Sequence, residues 1–423
     1  MSKYNFHLPN KPATKSGSIL SYDYSDNRTF IPQPLTFSRG SNATYIDKDG
    51  LIKSTTGDLP RVNVQDGSLL LEQQSGNIAL NSSDLTNNSW TKWNSSASSS
   101  NIINPEGNTG ASVYTCSNYG GSNQFFRINP NIAYATSTYT YSMFVKYNTF
   151  QFCKLAYTRY NFNHFAAIFD IINGTITATD TNGDVQNTSS NIEDFGNGWF
   201  RISITAAIGG TYDGNFEFNK SPSATPTFTH FGRTSQTTTT NDKAYIWGLQ
   251  LEQKSFPTSY IPTTNTTVTR LAETAINAGT ENVFNSEEGV LYAEIAALAN
   301  SGTFRQIAIT DVTTNNSLDV YYRTTDNQIT FRLKSSGTQY IFENFTIDNV
   351  LNFNKIAFKY KSGESKVFIN GSLKQTYTNA TMPLNLSKLN FVQNGNPFYG
   401  KVKELKVFNK ALTDTELQQL TTQ

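Results

Sequence analysis

The chain has 423 residues, 15% of them charged, and its 33 Lys and Arg against 32 Asp and Glu leave a net charge of +1. Near-neutrality supplies no basic footprint for nucleic acid or an anionic membrane, and no apolar run approaches the ~20 residues that a membrane-spanning helix needs. The length implies roughly two to four domains, and 13% aromatic residues, with Asn, Ser and Thr at the polar positions, suit pleated strands and the turns between them.

Residues 1–34 are polar and Pro-containing without periodicity, which fits either a disordered tail or an anchoring arm that orders on a partner. The start, Met1 to His7, has no apolar stretch of signal-peptide type. The expectation is a protein not exported by the usual route, with Cys116 and Cys153 as free thiols. Residues 35–75 hold two hairpin signals. Tyr45-Ile46 and Leu51-Ile52 flank Asp47-Lys48-Asp49-Gly50, and Val62 and Val64 face Leu69 and Leu71 across Asp66-Gly67. Two hairpins bury too little to stand alone, so this small module must pack on a neighbouring domain or on copies of itself.

Residues 76–262 alternate as one large β domain. Tyr139, Tyr141, Met143 and Val145 share one face of a strand, Phe200, Ile202 and Ile204 one face of another, and Phe165 to Ile171 suits a strand buried on both faces. Residues 263–274, rich in Thr and Asn after Pro257 and Pro262, are expected as a linker. Residues 275–423 form a second β domain, with a tight turn at Asn370-Gly371 and a capping box, Thr413 to Glu416, opening a short closing helix. The expected fold class is all-β: an N-terminal arm and a small hairpin module, then two antiparallel β-sandwich (jelly-roll) domains and one short C-terminal helix.

Several stretches carry a resemblance. Phe37-Ser-Arg-Gly-Ser-Asn-Ala-Thr-Tyr-Ile-Asp-Lys-Asp-Gly50, with Leu59-Pro-Arg-Val62 and Leu69-Leu-Leu-Glu72, resembles a module of bacteriophage tail and fibre proteins. Gly196-Asn-Gly-Trp-Phe-Arg-Ile-Ser203, Tyr245-Ile-Trp-Gly-Leu-Gln-Leu-Glu252 and Ser255-Phe-Pro-Thr-Ser-Tyr-Ile-Pro262 resemble the carbohydrate-binding jelly roll that such a module leads into. Lys366-Val-Phe-Ile-Asn-Gly371, Phe398-Tyr-Gly-Lys-Val402 and Val407-Phe-Asn-Lys-Ala411 look like a concanavalin-A-like, laminin-G-type sandwich. The resemblance implies a head or tail fibre or spike of a phage virion, assembled in the host cytoplasm. It implies a homotrimer that contacts other virion proteins through its N-terminal region and host-surface glycans through its sandwiches. A purely structural decoration and a glycan depolymerase stay open beside it.

Residues for chemistry are sparse. His7, His164 and His230 lie far apart with no metal-ligand spacing, and no nucleophile elbow or phosphate loop is present. Glycoside hydrolysis needs two carboxyl groups across the scissile bond, and no Glu-x-Asp-x-Glu run supplies them on one strand face. The expectation is therefore no enzyme, no catalytic residue and no metal ligand. A structural calcium ion, if held, would draw on Asp170, Asp184, Asp213 and Glu252. Glycan binding calls for exposed aromatic rings beside hydrogen-bonding groups. Trp93, the cluster Tyr157, Arg159 and Tyr160, and the cluster Tyr321, Tyr322 and Arg323 meet that description. Trp90, Trp199 and Trp247 are expected as core.

Overall fold

A computed structural model describes residues 18–23, 35–63, 66–116, 125–128, 137–159, 163–208, 214–229, 232–234, 241–300 and 304–422. These residues are all-β apart from one short helix, and the chain divides into two compact units. One comprises residues 1–46, 55–73 and 271–423; the other comprises residues 47–54 and 74–270.

The unit of residues 47–54 and 74–270 is a sandwich of two six-stranded antiparallel sheets. One sheet runs Gln186–Asp194, Trp199–Ile208, Ser137–Tyr147, Lys243–Glu252, Ser112–Cys116, Ser95–Ser99. The other runs Thr175–Asn182, His164–Asp170, Phe152–Arg159, Gly214–Lys220, Phe125–Ile128, Trp90–Trp93. Alternate side chains of the central strands meet between the sheets. Tyr141, Met143, Val145, Ile202 and Ile204 come from the first, and Cys153, Leu155, Phe165, Phe169 and Phe218 from the second. His164–Asp170 is buried along its whole length, as its two-sided apolar pattern implies. Gly232 lies against its outer face, where a Cβ atom would stand 2.7 Å from the His164 ring, so the close approach requires glycine. Trp90, Trp199 and Trp247 are buried, and Cys116 and Cys153 are buried thiols that are not joined.

The other unit pairs an eight-stranded sheet with a seven-stranded one. The eight-stranded sheet runs Ser372–Tyr377, Ser365–Ile369, Asn354–Lys361, Glu288–Ala297, Gly400–Phe408, Ser68–Leu71, Arg61–Asn63, and Ser18–Asp23 also pairs with Gly400–Phe408. Along the seven-stranded sheet the order is Thr338–Thr346, Gln328–Ser335, Ser317–Tyr322, Arg305–Thr310, Asn396–Pro397, Val392–Gln393, with Lys388–Asn390 also on Arg305–Thr310. Asn370 and Gly371 both take positive φ, 48° and 78°, as a two-residue turn between right-twisted strands demands. The helix Asp414–Thr421 opens on the expected capping box. The Thr413 side chain accepts from the Glu416 amide, and the Glu416 carboxylate accepts from the Thr413 backbone. Leu417 and Leu420 then seat on Val290, Tyr292, Phe368 and Phe408, on the side of the sheet away from the main core. No helix among the described residues is long and apolar enough to cross a membrane.

The division differs from the one expected for residues 35–75, 76–262, 263–274 and 275–423. The hairpin of Arg61–Asn63 and Ser68–Leu71 is no separate module. It extends the eight-stranded sheet from Gly400–Phe408, and Leu69 and Leu71 enter the core of the C-terminal sandwich. The physical reason is the one that forbids an isolated hairpin: its apolar face needs a partner, and an open sheet edge offers backbone pairing as well. Within residues 1–34, Ser18–Asp23 lies on the same edge, opposite Glu404–Phe408 of its own chain. Residues 263–274 are no loose linker either. Val268–Arg270 pairs with Ser75–Asn77, and Thr274–Ile276 pairs with Thr36–Ser38.

The motif residues explain this docking. Arg39, Arg61, Glu72 and Glu273 form one buried ion cluster in the C-terminal unit. Arg39 donates through Nη1 to Glu273 at 2.7 Å, through Nε to Ser41 O and through Nη2 to Thr56 O. Arg61 donates through Nε and Nη2 to Glu273, through Nη2 to Glu72 and through Nη1 to Thr44 O. Burial works against the Arg61 charge, but the two carboxylates outweigh it and hold the guanidinium above its ordinary pKa. Four residues far apart in sequence thus tie the N-terminal segment to the last sandwich.

Candidate functional site

The outer face of the seven-stranded sheet carries a buried polar cluster. On Ser317–Tyr322, Leu318, Val320 and Tyr322 enter the core, so Asp319 and Tyr321 stand on the opposite face. The register continues that face sideways. Tyr321 lies opposite Gln306 and Thr330, and Asp319 opposite Ala308 and Arg332. Phe342 and Asn344 come next, opposite Arg332 and Thr330 on the edge strand Thr338–Thr346. Alternation along neighbouring strands therefore assembles the face.

Its floor is an ion pair. Arg332 Nε donates to Asp319 Oδ2 at 2.9 Å, and the Ser317 hydroxyl donates to the same oxygen at 2.7 Å. The Asp319 side chain is 0% exposed. Burial disfavours the Arg332 cation, but its bond to Asp319 prevails and raises the pKa above the ordinary value. The Arg332 guanidinium also lies 5.7 Å from the centre of the Tyr321 ring. Arg323 extends the strand at one end. Its Nη1 donates to Asn344 at 3.0 Å, and its guanidinium sits between the rings of Phe304 and Phe342, 5.6 and 5.8 Å from their centres. Thr330 donates to Asn344 as well, at 2.7 Å. At the rim Phe342 keeps 43% of its surface exposed.

Among the described residues, four buried polar atoms of this face find no hydrogen-bond partner: Asp319 Oδ1, Gln306 Oε1, Arg332 Nη2 and Arg323 Nε. Two are acceptors and two are donors. Native interiors leave few polar atoms in that state, and each calls for an explanation.

The residues named from sequence fall in different places. Tyr321 and Arg323 belong to the face. Tyr322 does not: its ring is core and its hydroxyl donates to Ile295 O at 3.0 Å. Period two forces the split, since neighbours on a strand point to opposite sides. In the other unit, Tyr157 is also corrected. Its ring packs on Phe216 inside the sandwich, 5.2 Å between centres, where burial pushes its hydroxyl up to about 12. Arg159 is buried at its strand end and pairs with Asp184 at 3.3 Å. Tyr160 lies outside the described residues. Trp93 is 54% exposed at the end of an edge strand, Trp90–Trp93.

Asp319, Arg332, Gln306 and Phe342 escaped the sequence reading. Period two from Tyr321 would have found Asp319, but the other three needed the register between strands. No metal-type cluster occurs among the described residues, which include Asp170, Asp184 and Glu252 of the carboxylates considered for calcium. Asp170 accepts from Ile172, Asn173 and Gln151, Asp184 from Asn163 and Arg159, and Glu252 from Ser75, Gln250 and Thr258. Asp213 lies outside the described residues.

Residues 274–418 match the family model of the concanavalin A-like lectin/glucanases superfamily. This segment contains the whole face. No curated protein matches the chain. Among solved structures, the carbohydrate-binding module CBM40 of the Ruminococcus gnavus IT-sialidase, bound to α2,3-sialyllactose, is similar at 16% identity and a TM-score of 0.29, over 34% of this chain and 93% of that one. Domain 4 of the extracellular arabinanase AbnA from Geobacillus stearothermophilus, in complex with arabinotriose, is similar at 19% identity and a TM-score of 0.30, over 39% and 81%. The leech intramolecular trans-sialidase is similar at 19% identity and a TM-score of 0.28, over 33% of this chain and 24% of its own.

Proposed function

We propose that the protein is a glycan-binding protein and that the outer face around Asp319 and Arg332 is its site. The supporting observation is the pair of half-buried guanidinium groups, Arg323 and Arg332, stacked on aromatic rings beside the exposed Phe342 ring. The C–H face of a sugar ring needs an aromatic platform, and Phe342 offers one at the rim. Binding fits the face better than hydrolysis, because Asp319 already serves Arg332 and Ser317, and glycosidases work with a pair of carboxyl groups.

Glycan-array screening of the full chain, followed by calorimetry on the hits, tests this reading. Phe342→Ala should weaken binding about tenfold, equivalent to about 1.4 kcal/mol, with unchanged thermal unfolding because the ring is half exposed. An array without hits, or hits that Phe342→Ala leaves untouched, would refute the site.

The setting we propose is a bacteriophage virion, in which the chain serves as a head or tail fibre or spike that displays its sandwiches to host-surface glycans. The resemblance of Phe37–Gly50 and Leu59–Glu72 to phage fibre modules supports it. A homotrimer assembled in the host cytoplasm would multiply weak sites by avidity. Light scattering showing a stable monomer, or particles that antibody against this chain fails to label, would count against it.

A further inference from the structure

We infer that the sugar recognised at this face is anionic, carrying a carboxylate or a sulfate ester. This deepens the glycan-binding reading and rests on it. The chain as a whole is almost neutral at +1, yet three cations, Arg323, Arg332 and Lys334, stand along this face beside the carboxylate of Asp319. Lys334 follows Thr330 and Arg332 at period two and donates to Thr314 O at 3.0 Å. Glu343 alternates with Phe342 and Asn344, which places it on the other side of its strand.

Asp319 does not saturate the cations. It meets Arg332 through one nitrogen, Nε, where a two-bond fork is the usual arrangement, and Nη2 is left over. Arg323 spends Nη1 on the neutral amide oxygen of Asn344 and leaves Nε over. Both guanidinium planes are held by aromatic rings: Arg332 by Tyr321, Arg323 by Phe304 and Phe342. Two oriented, half-buried planar cations that Asp319 does not saturate favour a planar or multi-oxygen anion, to which charge-assisted bonds run about twice as strong as neutral ones. An acidic sugar meets these cations with charge-assisted bonds, whereas a neutral sugar meets them only through hydroxyl oxygens, in bonds about half as strong.

The test uses the full chain on an array of neutral, sialylated, uronate-bearing and sulfated oligosaccharides, followed by calorimetry against the best acidic member and its neutral counterpart. The acidic member should bind at least about tenfold more tightly, and that advantage should shrink as salt rises from about 0.05 to 0.5 M. Arg323→Gln should remove most of the preference, with the acidic sugar's affinity falling far more than the neutral sugar's. Sialylated or uronate hits would assign a carboxylate, and sulfated hits a sulfate ester. Equal binding of acidic and neutral members, or an Arg323→Gln variant that loses both equally, overturns the inference and leaves the glycan site standing. No binding by any member overturns the glycan reading itself, and this inference with it.

Discussion

Two polar clusters lie within the C-terminal unit, and they are built differently. Around Glu273, two fully buried arginines meet two carboxylates and three backbone carbonyls, and even the Glu72 amide donates to Glu273 at 2.8 Å. Around Asp319, an arginine and a carboxylate meet through one pair of atoms, and a donor and an acceptor beside them are left over. Burying charge is costly unless it is paired and hydrogen-bonded. The first cluster meets that condition internally and so serves as a structural clasp. The second meets it only in part, at a sheet face whose half-buried arginines stand beside an exposed aromatic rim.

This contrast can be broken by mutation. Glu273→Gln removes the charge shared by Arg39 and Arg61 and leaves two buried cations undercompensated. It should cost on the order of 3–5 kcal/mol, read as a lowered urea midpoint by circular dichroism. A loss below about 1 kcal/mol would mean that the clasp is not what secures the N-terminal segment.

Acid sharpens the comparison at a third carboxylate. Asp311, at the end of Arg305–Thr310, is fully served by the Thr313 amide and hydroxyl and by the Asn316 side chain. Burial pushes its pKa up, but these bonds prevail and hold it below the ordinary 3.8. A depressed folded-state pKa means that the group stabilises the fold above its unfolded value and loses that contribution as pH falls through the folded one. Wild-type stability should therefore drop on acidification below 3.8, and Asp311→Asn should drop less steeply over the same range. Parallel acid titrations of the two proteins would refute the assignment.

The smallest effect is expected at the face itself. Arg323→Gln, which should alter ligand preference, should cost about 1 kcal/mol of stability, well under Glu273→Gln. A loss comparable to that of Glu273→Gln would make the face a second clasp rather than a binding surface.

Some of this was legible in the residues. Alternation at period two marked the strands, and Asn370-Gly371 and Thr413–Glu416 marked a turn and a helix start, because those signals depend on neighbours in the chain. Tyr321 and Arg323 marked a strand that contributes to the face. Tyr157 and Tyr322 show the limit: an aromatic beside an arginine reads as surface, but which way the strand's pleat turns depends on what covers it. The expected independent module at 35–75 shows the same limit at larger scale, since a hairpin signal does not name the sheet edge it will join.

The sequence by itself thus determined the all-β class, the local turns and which segments need an apolar partner. Only the tertiary structure decided that Arg39, Arg61 and Glu72 converge on Glu273, 201 positions beyond Glu72, and that Asp319, Arg332, Gln306 and Phe342 share one face. The reason is that hairpin turns and caps are satisfied within a few residues. The pairing of buried charges and the sideways register of strands are set by which segments exclude water together.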